Sequence, residues 1–369
     1  MSSTAAVSQP EIKNDASHVH LLSELTLSPD HGGAAALAYA ASLDAAQRQN
    51  LLTIADAHHV VVRGLSPLQQ AAALGGEAKI NAWAEGVLSS ERARIDNALK
   101  YLEGIVRELT GAGCQVTVIK SLEHWPDLGS DLDLYTTADE QTVARVMFTR
   151  FRAEISPRSW GDRLAHKWNF AVPGLPESVE VHSKRLGQTG EHIAMAERFV
   201  TRRTFRQIAG FNFPVPAPEE RIIVATLQRM YRHFYFRLSD IANTASLVDT
   251  GAVDFRELKT ASDLGGIWPG VATYLKIVSD YLKRYRGRGL ELPQDVLSAA
   301  QFGGEKLAVR KCFLRVPIMP DGAKLFTRQM TSTALRGDVP AAFRLSLLPP
   351  LASVAAVAYR ITGSDKGIW

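Results

Sequence analysis

Between about residues 113 and 187 the spacing of apolar residues changes from three or four to two, while the chain on either side keeps a helical spacing. No other feature constrains the fold as much, because residues written with period two cannot form one apolar stripe on a helix. Upstream, "EGVLSSERARIDNALKYLEGIVRELTGAG" places Leu88, Ile95, Leu99, Leu102, Val106 and Leu109 at intervals of three, four or seven, a single stripe for burial, and Gly111 and Gly113 stop it. Shorter amphipathic stretches precede it, "LDAAQRQNLLTIADAHHVVVRGL" and "SPLQQAAAL", the latter begun by Ser66 and Pro67 in the order of an N-cap and a first-turn proline.

Within the block, "CQVTVIKS" alternates Val116 and Val118 with polar residues, and "DLDLYTT" alternates again after a turn-like "EHWPDLGS". "TADE", residues 137–140, reads as a capping box opening a helix to about Phe151. "HKWNFAVPG" and "SVEVHSK" read as a hairpin added to the same sheet. Downstream, "EHIAMAERFVTRRTFRQIAG" reads as helix, "FNFPVPAPEE" as a linker whose prolines forbid helix, and "ERIIVATLQRMYRHFYFRLSDIANTASLVDTG" as one long helix. From residue 252 further helices follow, with breaks near Gly265, Pro293, Gly303 and Pro320. The expected class is α+β, a small mixed or antiparallel sheet in a core at 113–187. It would be flanked by an N-terminal helical region at 17–112 and a C-terminal helical domain at 188–369, with a disordered tail at 1–16.

Composition narrows the partners. A net charge of +4 suits a phosphate-bearing ligand and falls short of the field of a duplex-DNA binder, so no DNA partner is expected. Cys114 and Cys312 are far apart and in no metal-ligand spacing, which suggests neither a disulfide framework nor zinc. With no secretory signal readable at the N-terminus, the expected home is the cytoplasm. The most apolar run, residues 345–361, is interrupted by Pro349 and Pro350; it reads as a buried helix after the prolines rather than a membrane-surface contact, and no transmembrane segment is expected.

The chemistry lies in "DLGSDLDLYTT", residues 127–137. On a strand Asp131 and Asp133 share one face, roughly 6.6 Å apart at Cα, while Leu132 and Leu134 share the other. Two carboxylates so placed raise each other's energy unless a cation lies between them, and a hard ion such as Mg²⁺ takes one or two carboxylates with phosphate oxygens. The same alternation in "SVEVHS" puts Glu180 and His182 on one face, with Glu177 a nearby competitor for the third carboxylate. Three acidic groups around two metal ions form a device for in-line displacement at phosphorus.

"VIKSLEHWPDLGSDLDLYTT" followed by "VEVH" resembles the nucleotidyltransferase superfamily of DNA polymerase β-like folds. Nearly the whole chain is similar to the bacterial family of uncharacterised nucleotidyltransferases, with "RMYRHFYFRLSDIANTASLVD" matching its later helix. The resemblance implies Asp131, Asp133 and Glu180 as metal ligands and catalytic residues, with Glu180 also serving or orienting a base for the acceptor hydroxyl. It further implies phosphate contacts from Ser121, Gly129 and Ser130, and His182 as a supporting or acceptor contact. Where the family carries a glycine this chain has Lys120, a point charge available to the phosphates. The implied cofactor is Mg²⁺ or Mn²⁺, the donor an NTP such as ATP.

In the expected later helix His233, Arg237 and Asp240 follow i, i+4, i+7 and lie on one stripe, which the resemblance sets against the catalytic sheet. Plainer readings stand beside these. His182 and His233 are open between site and structural histidine, and Arg237 with Asp240 forms an intrahelical ion pair as readily as a ligand contact. The basic runs at Arg198, Arg202, Arg203 and Arg206, and at Lys283, Arg284, Arg286 and Arg288, suit a solvated helix face better than RNA. The expected function is an Mg²⁺-dependent transferase with an unidentified acceptor, a small molecule or peptide before RNA. The alternatives are a catalytically inactive nucleotide-binding or scaffold protein and a toxin-like tRNA nucleotidyltransferase.

Overall fold

Five helices precede the first strand in the structure, a computed structural model that describes residues 9–28, 33–351, 353 and 354: α1 (Gln9–Leu27), α2 (Gly33–Ser42), α3 (Ala45–Ala57), α4 (Val61–Leu74) and α5 (Ala78–Gly111). The chain is therefore helical from Gln9, inside the stretch expected to be a tail. The anticipated stripe on α5 is buried, Leu88, Ile95, Leu99, Leu102 and Leu109 being at most 2% exposed. Ser66 and Pro67 do not start a helix but sit inside α4. Its first turn is capped from a distance by the carboxylate of Asp127, which accepts from the amides of Val62 at 2.6 Å and Arg63 at 3.2 Å.

The central block forms β1 (Val116–Val118), β2 (Asp131–Thr136), α6 (Glu140–Phe151), β3 (Glu154–Ile155), α7 (Trp160–Leu164), β4 (Lys167–Ala171) and β5 (Ser178–Ser183). Its strands make one sheet in the order β1-β2-β5-β4-β3, antiparallel except for the central parallel pair of β2 and β5. Fold class is thus α+β, with the small mixed sheet between helical regions. On one face Leu132, Leu134, Val179 and Val181 are at most 1% exposed and join the stripe of α5 in a single core. Burying each such side chain favours folding by about 1.5–3 kcal/mol, which fixes the strand register and sends the carboxylates to the opposite face. Helix α6 is capped by Asp139, accepting from Thr142 N at 2.8 Å, rather than by Thr137; a carboxylate is the stronger acceptor at a helix N-terminus.

Three expectations for the C-terminal half are corrected. After α8 (Ala194–Thr201) the chain turns into a two-stranded hairpin, β6 (Arg203–Ile208) with β7 (Phe211–Pro216), where helix and linker were expected. Ala209 and Gly210 both take positive φ, as a tight hairpin turn demands, and the prolines are tolerated because a two-stranded ladder is all edge. The expected long helix is divided. Helix α9 (Pro218–Thr226) runs into a π-helical segment at Leu227–Arg232, then Phe234 at φ 54°, a short strand β8 (Tyr235–Phe236), and α10 (Leu238–Asp249). Phe236 stacks on Tyr274 and its strand pairs with β10 (Phe313–Arg315), itself paired with β9 (Ala308–Arg310), so a tertiary ladder outbids the helix for the aromatic run.

Helices α11 (Phe255–Leu264), α12 (Trp268–Arg286), α13 (Gln294–Ala299), α14 (Ala323–Leu335) and α15 (Val339–Ser346) follow, with breaks near the anticipated glycines and prolines. Of the apolar run 345–361, residues 348–351 are helical with both prolines included, and 355–361 lie outside the described residues. No described helix is long and apolar enough to cross a membrane.

Candidate active site

Parallel pairing places Asp133 directly beside Glu180 and Tyr135 beside His182, with Asp131 two residues earlier on the same face, beside Ser178. The three carboxylates line one cleft with about 680 Å³ of empty volume, open to solvent on one side. Asp133 is buried, while Asp131 and Glu180 are half-buried. Past Asp133 the same strand face turns apolar, where buried Tyr135 packs edge-on against Phe199 of α8. Donor atoms of Asp133, Glu180 and His182 lie within 4.8 Å of one another, a set that could hold a cation. His182 Nδ1 is buried with no hydrogen-bond partner among the described residues. Burial and the nearby ammonium of Lys120 hold the His182 ring down to about 4, so it is neutral and able to ligate or accept near pH 7.

Lys120 enters this cluster from the loop after β1. Its ammonium forms an ion pair with Oδ1 of Asp133 and stands 3.3 Å from Nε2 of His182. The backbone there is a γ-turn of the rare positive-φ kind, φ 61° and ψ −60°, closed by the Ser121 amide donating to Ile119 O at 2.6 Å. Lys120 therefore occupies a backbone conformation suited to the glycine that the resemblance expects. The Ser121 hydroxyl accepts from Asp133 N at 2.7 Å and donates to Asp131 O at 3.1 Å, clamping the turn to β2. Ser130 donates to Oδ2 of Asp131 at 3.3 Å. At Gly129 a Cβ would come within 2.9 Å of the His59 ring, so the absence of a side chain lets that imidazole lie against the loop.

A second lysine was not foreseen. Lys167 of β4 is 3.1 Å from Glu180 Oε1 and 2.8 Å from Asp162 Oδ1. Despite burial, those two carboxylates raise its ammonium above the ordinary lysine value. Glu180 is pushed up by burial and by the charge of Asp133, and Asp131 by the same two causes. Burial also acts to raise Asp133, but Lys120 and His182 outweigh it and hold its carboxyl well below the usual range. One member of the trio is thus firmly ionised while the other two keep basicity.

Opposite this acidic floor stands a basic wall from the divided segment. Arg229, Arg232, His233 and Arg237 all line the cleft. Arg229 is 2% exposed and pairs with Asp240 at 2.7 Å, and Asp240 also accepts from the Arg237 amide at 2.8 Å. The expected i, i+4, i+7 stripe is therefore corrected: His233 and Arg237 reach the cleft from the connection between helices, whereas Asp240, in the first turn of α10, is turned to Arg229 and away from the cleft. Arg232 makes no ion pair among the described residues. Burial, reinforced by the charge of Arg232, lowers His233 to about 2, and burial lowers Arg237. His59 and His124, rings 4.5 Å apart, complete the rim.

The carboxylates and His182 were legible from alternation on two strands. Lys167, Arg229, Arg232 and the two rim histidines were not; the one usable signal was a lysine at the start of a strand otherwise rich in aromatic residues. Glu177 is withdrawn from the site, since its buried carboxylate pairs with Arg94 of α5. Of the run Arg198, Arg202, Arg203 and Arg206 only the first lies in α8; Arg198 and Arg202 pair with Glu219, Glu220 and Glu257, whereas Arg203 is solvent-exposed. Arg206 donates to Leu122 O at 2.8 Å, and Arg286 pairs with Asp249 at 3.0 Å.

No protein-family model matches the chain, and no curated protein matches it. Among solved structures it is similar to an antigenic nucleotidyltransferase-like protein from Paracoccidioides brasiliensis, with 16% identity and a TM-score of 0.33 over 51% of this chain and 93% of that one. A likeness this distant decides nothing about the chemistry, which has to be judged from the site's own atoms.

Proposed function

We propose that the chain is a divalent-metal-dependent nucleotidyltransferase that moves a nucleoside monophosphate from an NTP to an acceptor hydroxyl or phosphate. The observation that carries this reading is the lining of one cleft by the carboxylates of Asp131, Asp133 and Glu180 together with the guanidinium groups of Arg232 and Arg237. A triphosphate supplies negative charge for the wall and leaves oxygens for an ion on the floor. Asp133, Glu180 and His182 offer donor atoms close enough together for one ion, Asp131 on the same strand face would be a further carboxylate ligand to Mg²⁺, and the imidazole makes the set compatible with Mn²⁺ as well. The ion, when bound, would polarise the phosphoryl oxygens and stabilise charge on the leaving pyrophosphate.

The acceptor oxygen forms a bond to the α-phosphorus as the bond to the bridging oxygen of pyrophosphate breaks, and the acceptor's proton passes to a base. Glu180, raised above an ordinary carboxyl, is suited to take or direct that proton. Arg232 and Arg237 hold the β- and γ-phosphates, with Lys120 and Ser130 at the loop end.

A second reading, an inactive nucleotide-binding protein, is favoured by the ion pair of Lys120 with Asp133. RNA as acceptor has less support than the basic runs suggested, because Arg198, Arg202, Arg206 and Arg286 are engaged by protein groups, while Arg203, Lys283, Arg284 and Arg288 stay exposed; a small molecule or peptide is the acceptor class proposed. The test is to incubate each labelled NTP with Mg²⁺, with and without cell extract, beside Asp133→Asn. Pyrophosphate release that Asp133→Asn abolishes supports transfer, and equal release from both refutes it. Nucleotide binding without release supports the inactive reading, and label entering RNA the tRNA-directed one.

A further inference from the structure

Lys120 does more than neutralise a neighbour. Its ammonium is ion-paired with Asp133 Oδ1 and 3.3 Å from His182 Nε2, which places it among the donor atoms of Asp133, Glu180 and His182. Lys167 is different, standing to the side of Glu180 on the buried carboxylate of Asp162. One ammonium thus already sits inside the donor set, where a cation would otherwise lie.

The backbone points the same way. At φ 61° and ψ −60° a lysine is held in a conformation that glycine reaches far more readily, and the Ser121 hydroxyl fastens the turn to both Asp131 O and Asp133 N. Strain of that kind persists where the surroundings fix it, and here its result is the aim of one side chain at one carboxylate.

We infer that the Lys120 ammonium is a built-in replacement for one of the two metal ions of such a site, so that the floor takes a single divalent ion where the same floor without the lysine would take two. The inference rests on reading the floor as a divalent-cation site. It does not require that the protein turn over an NTP.

The test counts Mn²⁺ on the full chain without nucleotide, by equilibrium dialysis and electron paramagnetic resonance, in wild type, Lys120→Gly, Lys120→Met and Lys120→Arg. One ion is expected in wild type and Lys120→Arg, and two in Lys120→Gly and Lys120→Met. The glycine variant relieves the backbone and so keeps the test alive if Lys120→Met fails to fold. Two ions in wild type, or one in every form, would overturn the inference alone. Absence of any ion in every form would overturn it together with the cation site. One ion in wild type rising to two in Lys120→Gly supports it even where no pyrophosphate is released, an outcome that would separately remove the transferase reading.

Discussion

Floor and wall of the cleft are built by opposite means. The floor is two strands in which each side chain's face follows from its position along the chain, with Leu132, Leu134, Val179 and Val181 buried on one side and the carboxylates on the other. The wall is a stretch of 227–237 that leaves helical geometry, with a π-helical segment, a positive φ at Phe234 and a two-residue strand. Local alternation suffices to make the first. For the second, a break in helical hydrogen bonding has to be held by partners from β10, α10 and α12, and such breaks concentrate where function needs side chains re-aimed.

The largest effect is expected on the floor. Asp133→Asn should lower pyrophosphate release by about 10³-fold, several kcal/mol of lost charge stabilisation. It should cost less stability than Asp240→Ala on the wall, because asparagine keeps an oxygen to accept from the Lys120 ammonium; a larger loss of stability would mean Asp133 serves the fold first, and the contrast with the wall would fail. On the wall the order reverses. Asp240→Ala leaves the buried Arg229 guanidinium without its partner and should destabilise the protein by about 3–5 kcal/mol in urea unfolding. Arg232→Ala, removing a half-buried cation in no ion pair among the described residues, should weaken NTP binding about tenfold and leave stability within about 0.5 kcal/mol. Calorimetric titration with a non-hydrolysable NTP checks the first, and an unchanged affinity would take Arg232 out of phosphate binding.

The smallest effect tests the strut behind both. Burial pushes Asp127, the distant cap of α4, up to about 7 from an ordinary carboxyl near 3.8. The folded state then holds a proton that the unfolded chain has released, so this group's contribution to stability is complete below about pH 4 and falls as pH rises towards 7. Urea unfolding at pH 5 and pH 7 should show wild type losing more stability across the interval than Asp127→Asn; equal losses would show that the carboxyl ionises at its ordinary value.

How far the site could be read without the fold follows from these differences. Asp131, Asp133, Glu180 and His182 were legible because their neighbours are apolar at alternate positions, a pattern only a strand satisfies. Lys120 was visible as an anomaly, but its target was not, since a γ-turn leaves no periodic trace. Arg229 and Arg232 were hidden by a helical pattern running straight through them, and "RTFRQIAGFNFPVP" was misread because arginines and prolines weigh against a strand until its hairpin partner is known. Capping erred the same way at α4, where the acceptor comes from Asp127 far along the chain.

By itself the sequence determined that a small period-two block sits among helices and that its strands gather carboxylates on one face, because apolar burial sets strand register and a slip by one residue would bury the charges. Tertiary structure alone decided which cations meet those carboxylates. Lys120, Lys167, Arg232 and Arg237 come from separate elements with no shared period, and long-range packing brings them together around one cleft.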